Sequence, residues 1–254
     1  MPIAVSTWAQ FVTALETSGD NTIELLADID CNDNPPTARI AVSGAKIVNG
    51  NDHTIYNIGC AQPISNTIFG GYSVSFNKCS IYNMTRFENY YIFNSSNTYP
   101  CKFTDCKITG GGINGISEYG HYTRCSLSWS NLKSYAFWRS QFNNSWVRME
   151  CVFNSAPTNH GLANELISSY IEGKIIKNFT GSITTPIAGT TLKDSVINFE
   201  TDSTGTTVAS GVLTTVVNTT KAPNLVLGSG VVGVTDAQLK NAEYLASVGF
   251  NIVT

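Results

Sequence analysis

A short phrase recurs along this chain: an aromatic or large apolar residue, two variable residues, Cys or Ser, one further residue, and then an aliphatic residue or Phe. Buried and outward positions alternate within such a phrase, as they do in a strand that covers a core on one face. The copies are separated by irregular intervals of 11 to 27 residues that are rich in Asn, Gly, Ser and Thr. This repeat predicts a stack of short strands joined by variable loops.

Four copies of the phrase are clear and three are looser. The clear copies span residues 76–81, 103–108, 122–127 and 137–142, and the looser copies end at Val152 or Phe153, at Ile171 and at Ile197. Four cysteines are assigned to the same place in the phrase, namely Cys79, Cys106, Cys125 and Cys151. We therefore predict one interior column of free, buried thiols, because a disulfide framework suits a short secreted chain with an even number of Cys and this chain has seven.

Both ends of the chain carry helix signals. Trp8, Phe11, Val12 and Leu15 share one face of a helix over residues 7–18, and Thr7 begins it with a capping box. We expect this helix to cover the open end of the strand stack. A second helix is predicted to begin after Thr235 with the same type of cap and to end at Gly249. Residues 201–233 fit either further coils or an extended arm.

Composition excludes several classes of function. Only 13% of the residues are charged and the formal net charge is −3, so the chain offers no basic field for nucleic acid. Its three His are scattered and no zinc-like Cys/His spacing occurs, so we expect neither a metal nor another cofactor. No apolar run approaches the roughly 18 residues that span a bilayer, and no signal-peptide pattern is present, so no membrane partner is expected.

The capping helix, the strand at 22–29, the Gly-rich segment 47–55 and the ladder of repeated phrases together resemble the pectate-lyase-like superfamily of right-handed parallel β-helices. The resemblance implies an all-β solenoid with an N-terminal capping helix and a short C-terminal helix. We predict a capping segment at residues 1–21, a parallel β-helix at 22–200 and a C-terminal extension at 201–254. Segment 234–252 is similar to the tails of phage virion proteins.

Enzymes of this superfamily act on polysaccharides with carboxylates on the face of the rod. Glu118, Glu150 and Glu172 lie in or beside successive predicted coils and are the candidates for such a role, although their spacing does not determine the separation of a catalytic pair. Asp28 and Asp30 share a strand face beside the cap, where a solvated edge is the simpler interpretation.

An aromatic cluster occupies residues 119–146. Its variable positions hold Trp129, Trp138 and Trp146, with Arg139 interleaved and Arg148 just beyond. Exposed aromatic rings beside hydrogen-bonding groups suit sugar rings, and buried rings suit packing or a subunit interface. Both roles, glycan contact and interface, are open for these five residues.

We favour a non-enzymatic phage virion protein: a β-helical rod, assembled in the host cytoplasm, that serves attachment, decoration or binding of a host-surface glycan. Its expected partners are other virion proteins, a cell-surface polysaccharide and, as the resemblance implies, two further copies in a homotrimer. The alternative is a polysaccharide-degrading tailspike, lyase or hydrolase that acts on the lateral face. A secreted surface adhesin is the third hypothesis.

Overall fold

The strands of this protein pair in parallel from one coil to the next and wind into a right-handed β-helix. The computed structural model describes residues 1–59, 68–86, 91–96, 98–112, 116–132, 140–153, 165–177, 191–201, 207–208 and 215–248. A nine-stranded sheet and a ten-stranded sheet form the two long walls, and two pairs of short strands lie beside them. The predicted fold class is confirmed.

The strands, in chain order, are β1 (Ile3–Val5), β2 (Asn21–Leu25), β3 (Ile29–Asp30), β4 (Ile40–Val42), β5 (Lys46–Asn49), β6 (Thr54–Tyr56), β7 (Phe69–Gly71), β8 (Val74–Asn77), β9 (Ser80–Arg86), β10 (Cys101–Thr104), β11 (Lys107–Gly112), β12 (Gly120–Thr123), β13 (Ser126–Leu132), β14 (Gln141–Asn143), β15 (Trp146–Phe153), β16 (Glu165–Ile167), β17 (Tyr170–Lys177), β18 (Thr191–Lys193), β19 (Val196–Thr201), β20 (Thr207–Val208), β21 (Thr215–Asn218), β22 (Val226–Leu227) and β23 (Val231–Val234). The helices are α1 (Trp8–Glu16), α2 (Asp236–Leu239) and α3 (Ala242–Ser247), with a 3₁₀ turn at Cys31–Asp33. The nine-stranded sheet runs β1-β2-β5-β8-β10-β12-β14-β16-β18, and the ten-stranded sheet runs from β3 and β6 through β9, β11, β13, β15, β17, β19 and β21 to β23.

The repeated phrase forms the sharp corner between the two sheets. In the coil of β10 and β11, Phe103 points inward, Asp105 turns the chain with φ 55°, and Cys106 points inward again before Ile108. The left-handed conformation is unfavourable for residues other than Gly. At Asp105 it is accompanied by a hydrogen bond from the backbone N–H to the Thr123 carbonyl of the next coil, at 3.0 Å. The residues that take this conformation before successive corners are Lys78, Asp105, Arg124, Asn144, Ser168 and Asp194.

The residue after each left-handed position belongs to one interior column. Its members, in coil order, are Cys79, Cys106, Cys125, Ser145, Ser169 and Ser195, all of them buried. The prediction of stacked free thiols is confirmed for Cys79, Cys106 and Cys125. The predicted place of Cys151 in this column is wrong: its backbone pairs with Leu132 and Ile175 within the ten-stranded sheet, and Ser145 takes the corner of that coil.

Thiols and hydroxyls make the same hydrogen bonds in this column. The Cys125 thiol contacts the carbonyls of Phe103 and Thr123 at 3.2 and 3.4 Å, and the Ser145 hydroxyl donates to those of Tyr122 and Asn143 at 3.1 and 2.8 Å. Burial raises the pKa of the Cys79 thiol to about 12, so that thiol stays protonated at neutral pH.

Cys125→Ser is therefore expected to change the free energy of unfolding by less than about 1 kcal/mol, because the hydroxyl can donate to the same two carbonyls. Cys125→Ala, which removes the donor, should cost about 1–2 kcal/mol. Chemical denaturation of both variants measures the difference. Equal losses in the two variants would contradict an interchangeable column.

A column of stacked aromatic rings fills the centre of the solenoid. The ring centroids of Phe76 and Phe103 are 5.4 Å apart, those of Phe103 and Tyr122 are 5.0 Å apart, and those of Tyr122 and Phe142 are 4.7 Å apart. Phe142 thus begins its phrase, with Ser145 at the corner and Val147 at the end, whereas the sequence pattern predicts that Phe142 ends a copy that begins at Phe137. Residue 137 lies outside the described residues.

Helix α1 covers the N-terminal end as predicted. Thr7 accepts from the Gln10 N–H at 3.3 Å, and the Gln10 side chain accepts from the Ser6 N–H at 2.8 Å. Trp8, Phe11 and Leu15 are buried in the same core as the aromatic column. No helix in the described part of the chain is long and apolar enough to cross a membrane.

The ten-stranded sheet continues beyond residue 200. Strand β21 pairs in parallel with β19, and β23 pairs in parallel with β21, so these parts of residues 201–234 are further coils. The exact boundaries of the three segments stay predictions. The terminal helix begins with the predicted Thr235 capping box, but it is divided in two because the Asn241 side chain accepts from the Tyr244 N–H at 3.0 Å and starts α3. The expected stop at Gly249 lies outside the described residues.

Candidate functional site

Alternate residues of the ten-stranded sheet point outward and form two rows along its outer face. Because the strands pair in register, residues from successive coils become neighbours. The first outward row contains, in order, Thr54, Ser80, Lys107, Ser126, Trp146, Tyr170, Val196, Val216 and Val232. The second outward row contains Tyr56, Tyr82, Thr109, Ser128, Arg148, Glu172 and Asn198. The first row changes from polar to aromatic to aliphatic along the rod.

A shallow groove, the tyrosine groove, lies over the N-terminal part of these rows. It encloses about 340 Å³ and is lined by Thr54, Tyr56, Ser80, Ile81, Tyr82, Lys107 and Thr109. The two tyrosine rings meet edge to face with centroids 6.0 Å apart, and Tyr82 is 55% exposed. The groove therefore combines an accessible aromatic face with hydroxyl groups and one ammonium group.

The backbone positions the two tyrosines by a bend after each of them. Asn57 and Asn83 both adopt left-handed conformations, with φ 57° and 58°. The Asn83 amide donates to the Asn57 side-chain oxygen at 2.7 Å, and the Asn57 amide donates to both carboxylate oxygens of Asp30 at 2.9 and 3.0 Å. This ladder of side chains links three coils, so the bends beside the tyrosines are held in place.

A second groove, the corner groove, adjoins the first along the turn between the sheets. It encloses about 430 Å³ and is lined by Asp52, Lys78, Cys79, Ser80, Asp105, Cys106, Lys107, Arg124 and Ser126. Arg124 forms a two-point ion pair with Asp105, at 2.6 Å from Nε and 2.8 Å from Nη2. Hydrogen bonds from Arg124 hold the pKa of the Asp105 carboxyl below its usual range. Ser80 and Lys107 line both grooves.

Helices α2 and α3 cover the C-terminal end of the first outward row. Leu245 of α3 is buried against Val196, Val216 and Val234, with Tyr170 at the margin. Because Val196 and Val216 belong to the first outward row, α2 and α3 cover the outside of the sheet rather than its interior. The accessible part of that row therefore extends from Thr54 to Trp146.

The predicted tryptophan and arginine cluster is divided by the structure. Trp146 is 38% exposed and lies at the end of the accessible row, and Arg148 is exposed beside it in the second outward row. Trp129 is 1% exposed, because β13 continues past the repeated phrase and turns this ring into the core against Gly110. Trp129 is therefore not available to a surface ligand. Trp138 and Arg139 lie outside the described residues.

The three candidate carboxylates are not gathered into one site. Glu150 is exposed and lies 3.9 Å from Arg148, while Glu172 pairs in register with Arg148 on the neighbouring strand. Glu118 lies in the turn that precedes β12, a strand of the nine-stranded sheet. Among the described residues there is no cluster of three or more His, Cys, Asp or Glu side chains suited to a metal ion.

The grooves depend on Tyr82 and Lys107, which are not among the candidate site residues predicted from the sequence. Tyr82 directly follows the last apolar residue of the phrase at 76–81, and Lys107 lies between Cys106 and Ile108 of the next copy. Strand alternation predicts that both positions point outward, which is the one signal that would have identified them. Their proximity depends on the pairing of separate coils.

A family model described as a putative pectate lyase-like adhesive domain matches residues 3–145 of the chain. The matched segment includes α1, the aromatic column and every residue that lines the two grooves. No curated protein and no solved structure matches the chain.

Proposed function

Because the chain belongs to the pectate lyase-like adhesive domain family, we propose that this adhesin-like β-helical protein holds a surface glycan on the outer face of its ten-stranded sheet without cleaving it. The observation that carries the proposal is the tyrosine groove. Sugar rings present apolar C–H faces and many hydroxyl groups, which suits an exposed Tyr82 ring beside Thr54, Ser80 and Thr109. The open shape of the groove admits an internal segment of a polymer.

Binding without cleavage agrees with the positions of the candidate carboxylates. Glycoside hydrolysis canonically uses two carboxyl groups that face each other across the scissile bond. Here Glu150 and Glu172 both neighbour Arg148, and Glu118 lies in the turn before a strand of the other sheet. Incubation with a panel of capsular and cell-wall polysaccharides is expected to yield no new reducing ends and no unsaturated products. Either product would support the degrading alternative.

Tyr82→Ala is expected to weaken glycan binding about tenfold, because it removes the exposed ring of the groove. A glycan array identifies the ligand of the unaltered protein, and titration calorimetry then measures the variants. Tyr99→Ala is the matched control, since Tyr99 is also 55% exposed but lies outside both grooves. Equal loss in both variants, or no binding to any glycan of the array, would refute the assignment.

We further propose that the protein is a component of a phage particle, joined to other virion proteins and arranged as a homotrimer. The similarity of segment 234–252 to phage virion tails supports this location. Free buried thiols at Cys79, Cys106 and Cys125 are compatible with assembly in a reducing cytoplasm. Mass spectrometry of purified particles should detect the chain, and light scattering should give the mass of three copies. Recovery from the cell wall alone would favour a secreted adhesin.

A further inference from the structure

The corner groove brings together charged side chains from three successive coils. Lys78, Asp105 and Arg124 occupy the left-handed positions just before the corners, and Lys107 is the first residue of β11 and a member of the first outward row. These three left-handed residues follow one another along the rod because the backbone N–H of each donates to a carbonyl of the next coil. The Lys78 N–H, for example, donates to the Thr104 carbonyl at 2.9 Å. Backbone hydrogen bonds between coils therefore fix the positions of the residues that carry these charges.

The positive charge of this groove is only partly neutralised by the protein. Arg124 is paired with Asp105, whereas neither Lys78 nor Lys107 has an ion pair or a side-chain hydrogen bond within the described part of the chain. Asp52 lines the groove as its second carboxylate. Three cations and two carboxylates give the groove a net charge of +1, although the whole chain has a formal net charge of −3.

We propose that the corner groove binds the anionic substituents of an acidic glycan, with Lys78 and Lys107 supplying the positive charge. This inference rests on the proposed function and names the class of glycan. Ser80 and Ser126 add hydroxyl donors beside the two ammonium groups, and an ammonium group forms its strongest hydrogen bonds with anionic oxygen atoms.

The two grooves together specify a charged sugar rather than a small free anion. Ser80 and Lys107 line both of them, so a ring over Tyr82 would place a carboxylate or sulfate substituent near Lys107. Asp105 is occupied by Arg124 and therefore repels such a substituent less than a free carboxylate would. The negative charge of the rest of the chain opposes binding of polyanions elsewhere on the rod.

The test measures binding of the full chain to three named polymers: alginate, which carries carboxylates, dextran sulfate, and neutral dextran. Lys78→Gln and Lys107→Gln are each expected to weaken binding of the preferred polyanion about fivefold, and added salt should weaken it further. Lys102→Gln is the matched control, because Lys102 is also exposed but points outward from β10 of the nine-stranded sheet. Circular dichroism confirms that each variant is folded.

Retention of alginate or dextran sulfate over neutral dextran, lost in the groove variants and kept in Lys102→Gln, supports the inference, and the preferred polymer identifies the substituent. Equal binding of all three polymers, no retention of either polyanion, or equal loss in Lys102→Gln overturns it. If a neutral glycan of the array still binds and Tyr82→Ala abolishes that binding, the proposed function stands without this inference.

Discussion

Phe103→Ala is expected to lower the free energy of unfolding by about 3–5 kcal/mol, the usual cost of removing a large buried aromatic ring. Phe103 is fully buried and stacks between Phe76 and Tyr122, with centroid distances of 5.4 and 5.0 Å. Phe93 packs against it edge to face at 6.1 Å. The rings of Phe76 and Tyr122 are held by β8 and β12, which limits their collapse into the cavity, so the loss should lie in the upper part of this range.

Two control variants distinguish the stability contributed by the stacked aromatic rings from the effect of any aromatic substitution. Phe103→Leu keeps most of the volume and should cost less than about 1.5 kcal/mol. Tyr99→Ala removes an exposed ring and should change stability by no more than about 0.5 kcal/mol. Urea denaturation followed by circular dichroism measures all three. A loss below about 1 kcal/mol in Phe103→Ala would show that the stacked rings do not stabilise the solenoid.

Lys46→Met is expected to cost about 3 kcal/mol and to loosen the N-terminal cap, because it removes the ammonium group that donates to three partly buried carbonyl groups. Lys46 is only 1% exposed, and its ammonium group donates to the Thr17 carbonyl at 2.7 Å and to the carbonyls of Gly19 and Ser43. Thr17 and Gly19 follow the C-terminus of α1, where a positive charge is also favoured by the helix dipole. Desolvation lowers the pKa of Lys46, and the negative charge of Asp20 opposes that shift.

Hydrogen exchange tests specifically whether the hydrogen bonds of Lys46 hold the N-terminal cap. In Lys46→Met the amides of α1 should exchange faster, while those of β13 and β15, which lie several coils away, should keep their protection. Lys102→Met is the matched control, since it removes an exposed lysine from the same sheet. If exchange rises equally throughout the chain, or does not rise in α1, Lys46 does not hold the cap.

The fold can be predicted from the sequence because successive coils repeat the same short pattern of residues. The phrase marks an inward residue, a corner and a second inward residue, and these positions are buried in every clear copy from Phe76 to Leu127. The predicted position of Phe142 in the repeat is wrong, because residues 137–142 and 142–147 both fit the phrase. Only the pairing of Phe142 with Tyr122 distinguishes the two, and it also places Ser145 rather than Cys151 in the corner column.

The candidate site was less predictable, because exposure depends on how far each strand continues. Trp146 and Trp129 both occupy variable positions in the sequence, and Trp146 is exposed. Trp129 is buried, because β13 extends beyond its phrase and keeps alternating inward and outward. Tyr82 and Lys107 were not selected, since neither forms part of a motif within its own coil.

The amino-acid sequence alone therefore determined the structure within each coil: alternation sets which side chains face the core, and the corner residues set where the chain turns. Which outward side chains meet depends on how the coils stack. Tyr56 and Tyr82, or Lys78 and Lys107, come from different coils joined by loops of variable length. Backbone pairing between coils sets their alignment, and for that reason the grooves exist only in the wound chain.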